Sequence, residues 1–225
     1  MLFVSDYDII TEPLRSIIIS LQVSFVIGSI LMCILILVTF KKRDPNIRKS
    51  YLFGFPLFSI LIGLQRAILI YHDYYAPDNQ DMVLILIANS MILSAFIVFN
   101  YTLESNVYTK SHHFFTLIGI IFIILYLIFL LLDKLASTIV LYAAIFSQVI
   151  PIIGIYIIVA RNSQGNAKKR SLIILLGIIV LLISQSTGLF MLVGIMDRIT
   201  STAFAPPVSL VSIVILGYGF LRDPN

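Results

Sequence analysis

One full charge lies well inside an apolar segment of this sequence, and its side chain is the first candidate for chemistry. Arg66 occurs in the stretch Leu52–Asp73, which is apolar enough to cross a bilayer. A charge within a membrane span is costly, and such a residue usually has a partner and a functional role. The sequence therefore predicts that Arg66 marks a functional site.

Three amides join this arginine as candidates for one outward-facing ligand site, which would consist of Arg66, Asn89, Gln148 and Gln185. Arg66 lies five residues, about 7.5 Å, beyond the middle of its predicted span. The amides fall at similar or outer depths of other spans. Such a cavity would suit a small anionic or polar ligand that arrives from outside. In an alternative interpretation the amides hydrogen-bond between helices, and Arg66 reaches outward to Asp73 or the lipid headgroups.

The composition indicates the class of protein that must hold these residues. Of 225 residues, 60% are hydrophobic and only 12% are charged, and the mean hydropathy is +1.05. A soluble domain carries about 25% charged residues. Long apolar runs, rather than alternating ten-residue segments, predict an all-α membrane protein embedded in the lipid bilayer.

Seven apolar runs separated by short polar breaks predict a seven-transmembrane helix bundle that forms a single domain over residues 1–225. Each run is long enough to cross a hydrocarbon core of about 30 Å. The predicted spans are 16–40, 51–71, 82–103, 114–132, 135–160, 171–196 and 202–221.

The distribution of basic residues predicts the orientation. With the N-terminus outside and the C-terminus inside, most of the 15 basic residues fall in cytoplasmic loops, as expected from the positive-inside rule. These residues are Lys41, Lys42, Arg43, Arg48, Lys49, Lys110, Arg161, Lys168, Lys169, Arg170 and Arg222. Most acidic residues fall on the other side. The net charge of +4 thus reflects topology in a multi-pass protein of the cell membrane and does not indicate nucleic-acid binding.

Several chemistries lack the residues that they require. No lysine lies inside a predicted span, which argues against a retinal Schiff base. His72, His112 and His113 all lie at the ends of predicted spans, and Cys33 is the single cysteine. Without a nucleophile–base pair, a metal-ligand cluster or a phosphate loop, we expect no enzyme activity, no metal and no cofactor.

The pattern of the chain resembles the seven-helix sensor modules at the N-termini of some prokaryotic histidine kinases, and stand-alone seven-helix membrane proteins of archaea. The resembling segments are KKRDPNIRKSYLFGF, NYTLE, RNSQGNAKKRSLIILLG and GYGFLRDPN. The resemblance implies a receptor-like sensing bundle whose output passes inward through the seventh helix. We expect no output domain after GYGFLRDPN, so signal transduction would need a separate cytoplasmic signalling protein, which would bind at Arg43–Lys49, Glu104–Lys110 or Arg161–Arg170.

Two other functions stay open at this stage. In a small-solute carrier, spans one to three and five to seven would form two halves, although their polar residues do not superimpose and no intramembrane Asp or Glu could carry protons. An accessory subunit would pack against other membrane proteins. The acidic N-terminus lacks the positive region of a signal peptide, so we expect no cleavage.

Overall fold

The computed structural model of the protein describes residues 13–41, 54–75 and 81–221. Within these ranges the chain is helical apart from short turns, and no strand occurs. The helices are α1 (Leu14–Lys41), α2 (Gly54–Tyr75), α3 (Asp81–Asn106), α4 (Phe114–Leu132), α5 (Lys134–Asn162), α6 (Gly165–Gln185), α7 (Thr187–Leu192) and α8 (Arg198–Leu221). The N-terminal residues, the first basic loop with Arg43–Lys49, the start of the second predicted span and Arg222 lie outside the described residues.

Six of these helices are long and apolar enough to cross a membrane, which confirms a multi-pass, all-helical membrane protein. They cover Leu14–Thr39, Gly54–Tyr75, Met82–Asn106, Phe114–Leu132, Ala136–Asn162 and Ala203–Leu221. Their outward faces carry large aliphatic side chains, most densely on α4, where Leu131 is 77% exposed. In water such a face would be an aggregation surface, whereas in a bilayer it contacts acyl chains.

The sixth predicted span, 171–196, is not one helix. It consists of α6, a turn at Ser186, and the short helix α7. The apolar part of α6 begins after Arg170 and is about 22 Å long, which is less than the hydrocarbon core. The break occurs in a run of small polar residues with low helix propensity. At the break, the Thr187 hydroxyl donates a hydrogen bond to the Ser184 carbonyl oxygen.

The second helix extends further than its hydropathy suggests. It ends at Tyr75 rather than Tyr71 and has 22 described residues, of which Arg66 is the thirteenth. Within the described part of α2, Arg66 therefore lies about 2 Å from the middle. About 13 Å of helix separates Arg66 from the end at Tyr75, so the side chain starts deep in the bundle.

The helices form a closed ring in which neighbours along the chain also pack in space. The packed pairs include α1 with α2, α2 with α3, α4 with α5 and α5 with α6, and α8 closes the ring by packing on both α6 and α1. The third helix also packs on α5, in addition to its chain neighbours α2 and α4. A buried side-chain core fills the interior of this ring.

The direction of the last helix follows from its small-residue contacts with α1. Gly28 of α1 packs against Ile213 of α8, and four residues further along both helices Met32 packs against Gly217. Equal steps in the same sense require the two helices to run parallel. Small residues at such contacts let helix backbones approach closely.

The contacts between α6 and α8 have the opposite sense. Gly177 packs against Leu216, and Ser184, seven residues further along α6, hydrogen-bonds to Ser209, seven residues back along α8. Gly219 packs against Ile174 in the same register. The two helices are therefore antiparallel, so α6 traverses the bundle in the direction opposite to α1.

The two ends of the bundle differ in charge. We call the end with Lys110, Arg161, Lys168 and Lys169 the basic end, where α3 and α5 finish and α4 and α6 begin. We call the opposite end, with Asp73, Asp133 and Asp197, the acidic end. At the acidic end, the Arg15 guanidinium at the start of α1 lies 5.5 Å above the ring centre of Tyr74 near the end of α2.

Candidate functional site

Arg66 is a buried cation in the middle of α2. Its side chain is only 8% exposed, and it shares a buried stripe with Ser59, Ile62 and Gly63. The guanidinium carbon lies 5.8 Å from the ring centre of Phe25 on α1. A cation above an aromatic face is stabilised by about 0.5–2 kcal/mol, with the larger values in desolvated surroundings. The interface between α1 and α2 thus holds Arg66 inside the ring of helices.

Two further amides lie near this part of the interface. Gln22 precedes Phe25 by one turn on the buried face of α1, and Gln65 precedes Arg66 on α2. Their side chains are 2% and 3% exposed, and neither side-chain carbonyl oxygen accepts a hydrogen bond within the described structure. Buried acceptors normally have a donor. The interior near Arg66 therefore offers unsatisfied acceptors as well as a cation.

Asn89 lies level with Arg66. The ring of Phe58 on α2 contacts Phe96 and Phe99 on α3, at centroid distances of 5.9 and 4.7 Å. The helices α2 and α3 run antiparallel. Arg66 lies eight residues after Phe58 on α2, so its level on α3 lies eight residues before Phe96 and Phe99. That position is the turn that contains Asn89. The predicted pair is thus brought to one depth on adjacent helices.

The Asn89 amide faces a small cavity near the acidic end. Its Nδ2 atom donates a 2.8 Å hydrogen bond to the Tyr126 hydroxyl of α4. The cavity beside it has a volume of about 20 Å³ and is also lined by Ser137 and Thr138 of α5. That volume suffices for about one water molecule. Asn89 therefore marks a polar pocket between α3, α4 and α5.

Gln185, the last residue of α6, is level with Arg66 as well. It follows Ser184, whose hydroxyl hydrogen-bonds to the Ser209 hydroxyl of α8. In the parallel register of α1 and α8, Ser209 lies within one residue of the level of Phe25, the ring that contacts Arg66. Gln185 is half-buried, and its fully buried Nε2 atom donates no hydrogen bond within the described structure.

Gln148 lies at a different depth from the other three, contrary to the expectation from sequence. Its side chain donates to the Phe115 carbonyl oxygen at 3.1 Å, and its Oε1 and backbone oxygens both accept from the Asn100 amide at 2.9 Å. Asn100 is eleven residues, about 16 Å, from Asn89 along α3. Gly119 permits the approach, since a Cβ there would lie 2.8 Å from the Gln148 amide carbon. This amide thus joins α3, α4 and α5 nearer the basic end.

Glu104 completes the junction nearer the basic end, a role that no local sequence signal indicates because its partners lie on the next helix. It lies one turn beyond Asn100 on the same face of α3 and is buried. Its carboxylate accepts hydrogen bonds from the Phe115 and Thr116 backbone N–H groups, both at 2.9 Å, and from the Thr116 hydroxyl. A carboxylate at a helix N-terminus satisfies donors that the helix itself cannot, and it interacts favourably with the helix dipole.

Replacing Glu104 by glutamine is expected to lower the free energy of unfolding by about 1–2 kcal/mol, because a neutral amide then faces the donors of α4. Unfolding can be followed by circular dichroism in mixed micelles. The control is Asp197→Asn at the exposed start of α8, where the Thr200 N–H donates to the carboxylate at 2.7 Å. Asparagine caps helices about as well as aspartate, so this variant should retain its stability. Equal stability of both variants would contradict the capping role of Glu104.

Polar groups inside the ring therefore occupy two levels. One level contains Arg66 between α1 and α2, Asn89 at the pocket between α3, α4 and α5, and Gln185 at the end of α6. The other contains Asn100, Gln148 and Glu104 and is used mainly to join three helices. No protein-family model, no curated protein and no solved structure matches the chain.

Proposed function

We propose that the protein is a seven-span receptor or sensor of the cell membrane, with its N-terminus outside and its C-terminus in the cytoplasm. It takes a small polar or anionic ligand at the level of Arg66 and signals to a separate cytoplasmic protein. The resemblance of its basic loops and of the NYTLE segment to prokaryotic sensor modules supports this role. We assign it no catalytic function.

The helix directions support seven crossings. Six helices meet the requirements of a membrane span, and α8 runs parallel to α1 but antiparallel to α6. The first and last crossings run in the same direction only if the number of crossings is odd. The six spans therefore need a seventh, which the segment formed by α6 and α7 supplies. Together these two helices and the turn between them provide the length that α6 alone lacks.

The gathering of basic residues at one end supports the orientation. Lys110, Arg161, Lys168 and Lys169 lie at the basic end, whereas Asp73, Asp133 and Asp197 lie at the opposite end. Under the positive-inside rule the basic end faces the cytoplasm. The level of Arg66 is then reached from the outer, acidic end.

The observation that carries the proposed function is the burial of Arg66 at the middle of α2. A buried charge deep in a bundle is retained where it serves a ligand, an ion or a switch. Outward extension to the headgroups is disfavoured, because about 13 Å of helix separates Arg66 from the end of α2. The unsatisfied oxygens of Gln22 and Gln65 add acceptors to this site, as recognition of a ligand with both acidic and donor groups would require.

Replacing Arg66 by leucine is expected to abolish ligand recognition while the protein still folds. The purified protein is screened by thermal unfolding against a panel of small carboxylates, amino acids, phosphate and sulfate. At least one compound should raise the unfolding midpoint of the wild type. In Arg66→Leu its affinity should fall at least thirtyfold, or by about 2 kcal/mol, because one member of a buried charge pair is lost. Arg66→Lys should retain part of the affinity.

The control for this experiment is Leu64→Ala on the exposed face of the same helix, where the side chain is 44% exposed. It should bind the compound as the wild type does. A shift that persists in Arg66→Leu would remove Arg66 from the site. Net uptake of the compound into proteoliposomes would instead indicate the carrier function.

A further inference from the structure

A cleft opens into the bundle at its basic end. It lies between the first turn of α2, the last turn of α3, the final third of α5 and the first half of α6, and its volume is about 140 Å³. The buried residues Phe55, Leu103 and Ile174 line its inner part, while Val107 and Ala167 lie toward its mouth. Four helices enclose it, so we infer that it opens along the bundle axis rather than sideways toward the acyl chains.

The lining of the cleft is suited to a single large apolar side chain. Besides aliphatic and aromatic groups it contains Ser171 and Arg170. The Arg170 guanidinium donates to the carbonyl oxygens of Gly219 and Phe220 at 3.1 and 3.3 Å, so the α8 C-terminus engages this charge. An apolar cavity of about 150 Å³ accepts a benzene molecule. The cleft is therefore of the size that a phenylalanine or leucine side chain requires.

The surface around the cleft is basic. Lys168 and Lys169 are exposed beside Ala167, and Lys110 and Arg161 are exposed at the ends of the adjoining helices. Glu104 is the one acidic residue among those that the structure describes at this end, and its carboxylate is buried against α4. Among the described residues, the rim thus carries positive charge around an apolar cavity, which is complementary to an acidic segment with one apolar residue.

We propose that this cleft is the docking site of the cytoplasmic partner, and that the partner presents an acidic segment with one aromatic or leucine anchor. The anchor enters the cleft, and the flanking carboxylates meet the basic rim. The proposal rests on the proposed function for the side of the membrane that the basic end faces. A headgroup of an anionic lipid would match the rim but would leave the apolar interior unfilled.

Docking at this position would contact the aromatic core of the bundle directly. Phe55 lines the cleft and stacks on Phe220 of α8, with ring centres 4.4 Å apart. Tyr156 lines the other side and lies 6.3 Å from Phe99 of α3. An anchor in the cleft therefore touches side chains of α2 and α5 whose ring partners belong to α8 and α3. This arrangement couples the occupancy of the cleft to the packing of four helices.

The test uses the full-length protein in nanodiscs of neutral phosphatidylcholine. The probes are fluorescent twelve-residue peptides rich in glutamate with a central phenylalanine, the same peptides with serine at that position, and peptides with lysine in place of glutamate. Fluorescence anisotropy gives the affinity of each. We expect binding of the acidic phenylalanine peptides, at least tenfold weaker binding of the serine peptides and no binding of the lysine peptides. Failure of every acidic peptide to bind overturns the proposal.

Two variants locate the binding site. Ala167→Phe places an aromatic ring in the cleft and should weaken peptide binding at least tenfold. Its control is Leu172→Phe on the exposed face of α6, which should bind as the wild type does. The double variant Lys168→Glu and Lys169→Glu alters only exposed residues and should also weaken binding at least tenfold. Wild-type affinity in either cleft or rim variant overturns the proposal.

Labelling of a cysteine in the cleft distinguishes peptide docking from lipid binding and also tests the orientation. In a Cys33→Ser background, the thiol of Ala167→Cys should react with a maleimide, and the acidic peptide should protect it. Protection by phosphatidylglycerol in the nanodisc, with none by the peptide, would assign the cleft to a lipid headgroup and overturn docking. Labelling of intact cells by an impermeant maleimide would place the basic end outside and overturn the proposed orientation, while the peptide affinities in nanodiscs would be unaffected.

Discussion

Replacing Phe99 by alanine is expected to lower the free energy of unfolding by about 3–5 kcal/mol. Phe99 of α3 is fully buried inside the ring of helices. Its phenyl ring contacts the phenyl rings of Phe58, Phe55 and Phe220, at centroid distances of 4.7, 5.1 and 6.1 Å. Removal of this ring would leave a cavity that borders α2, α5 and α8.

The physical cause of this loss differs from that in a soluble protein. Helix association in lipid gains little from the hydrophobic effect, because acyl chains are as apolar as the side chains that they replace. The folded state depends instead on close packing, and lipid cannot fill an enclosed cavity inside the ring. The loss should therefore consist mainly of dispersion contacts with the surrounding rings.

Phe114→Ala provides the matched control, since this phenylalanine at the start of α4 is 56% exposed. Its removal should change the free energy of unfolding by less than about 1 kcal/mol, because a surface side chain leaves no cavity. Both variants can be compared by unfolding in sodium dodecyl sulfate titrations from mixed micelles. Equal stabilities would show that the aromatic core is not the packing centre of the bundle.

The second large effect is expected for Gly177→Val, which should destabilise the protein by about 3 kcal/mol through overpacking. A Cβ atom at Gly177 would lie 2.7 Å from the Leu216 side chain and 3.1 Å from its backbone nitrogen. The backbone cannot yield as a flexible side chain could. Helices α6 and α8 would therefore have to separate, and the hydrogen bond between Ser184 and Ser209 would be weakened.

Gly154 offers a control of the same residue type within a helix. A Cβ at this position of α5 would meet no atom within 4 Å. Gly154→Ala should therefore be neutral or stabilise the protein by up to about 1 kcal/mol, because alanine favours the helix. If Gly177→Val retained full stability in the same micelle titration, the antiparallel packing of α6 on α8, and with it the argument for a seventh crossing, would fail.

The long apolar runs were the part of the fold that could be predicted best. Spans such as 114–132 correspond residue for residue to a helix, because a segment without charges must satisfy its own backbone when it lies in lipid. The sixth run was predicted less well. Hydropathy does not register the break at Ser186, since serine, threonine and glycine are only mildly polar but form helices poorly.

The relative depths of the candidate site residues could be predicted only in part. Arg66, Asn89 and Gln185 reach one level through the registers of five helices, whereas Gln148 lies nearer the basic end because it bonds to Asn100 and Phe115. Depth along a single helix follows from the sequence. The offset between two helices depends on which small residues, such as Gly119, let them approach, and no pattern in one helix contains that information.

The sequence by itself determined that the chain is an apolar, multi-pass helical protein with one charge inside a span and with its basic residues concentrated in alternate loops. These properties follow from local composition, since the length and hydrophobicity of each helix must match the hydrocarbon core of the bilayer. Only the tertiary structure decided that α8 packs on both α1 and α6, that Glu104 caps α4 and that a cleft opens at the basic end. These features arise from contacts between residues far apart in the chain, where packing and hydrogen-bond geometry, rather than hydropathy, select the arrangement.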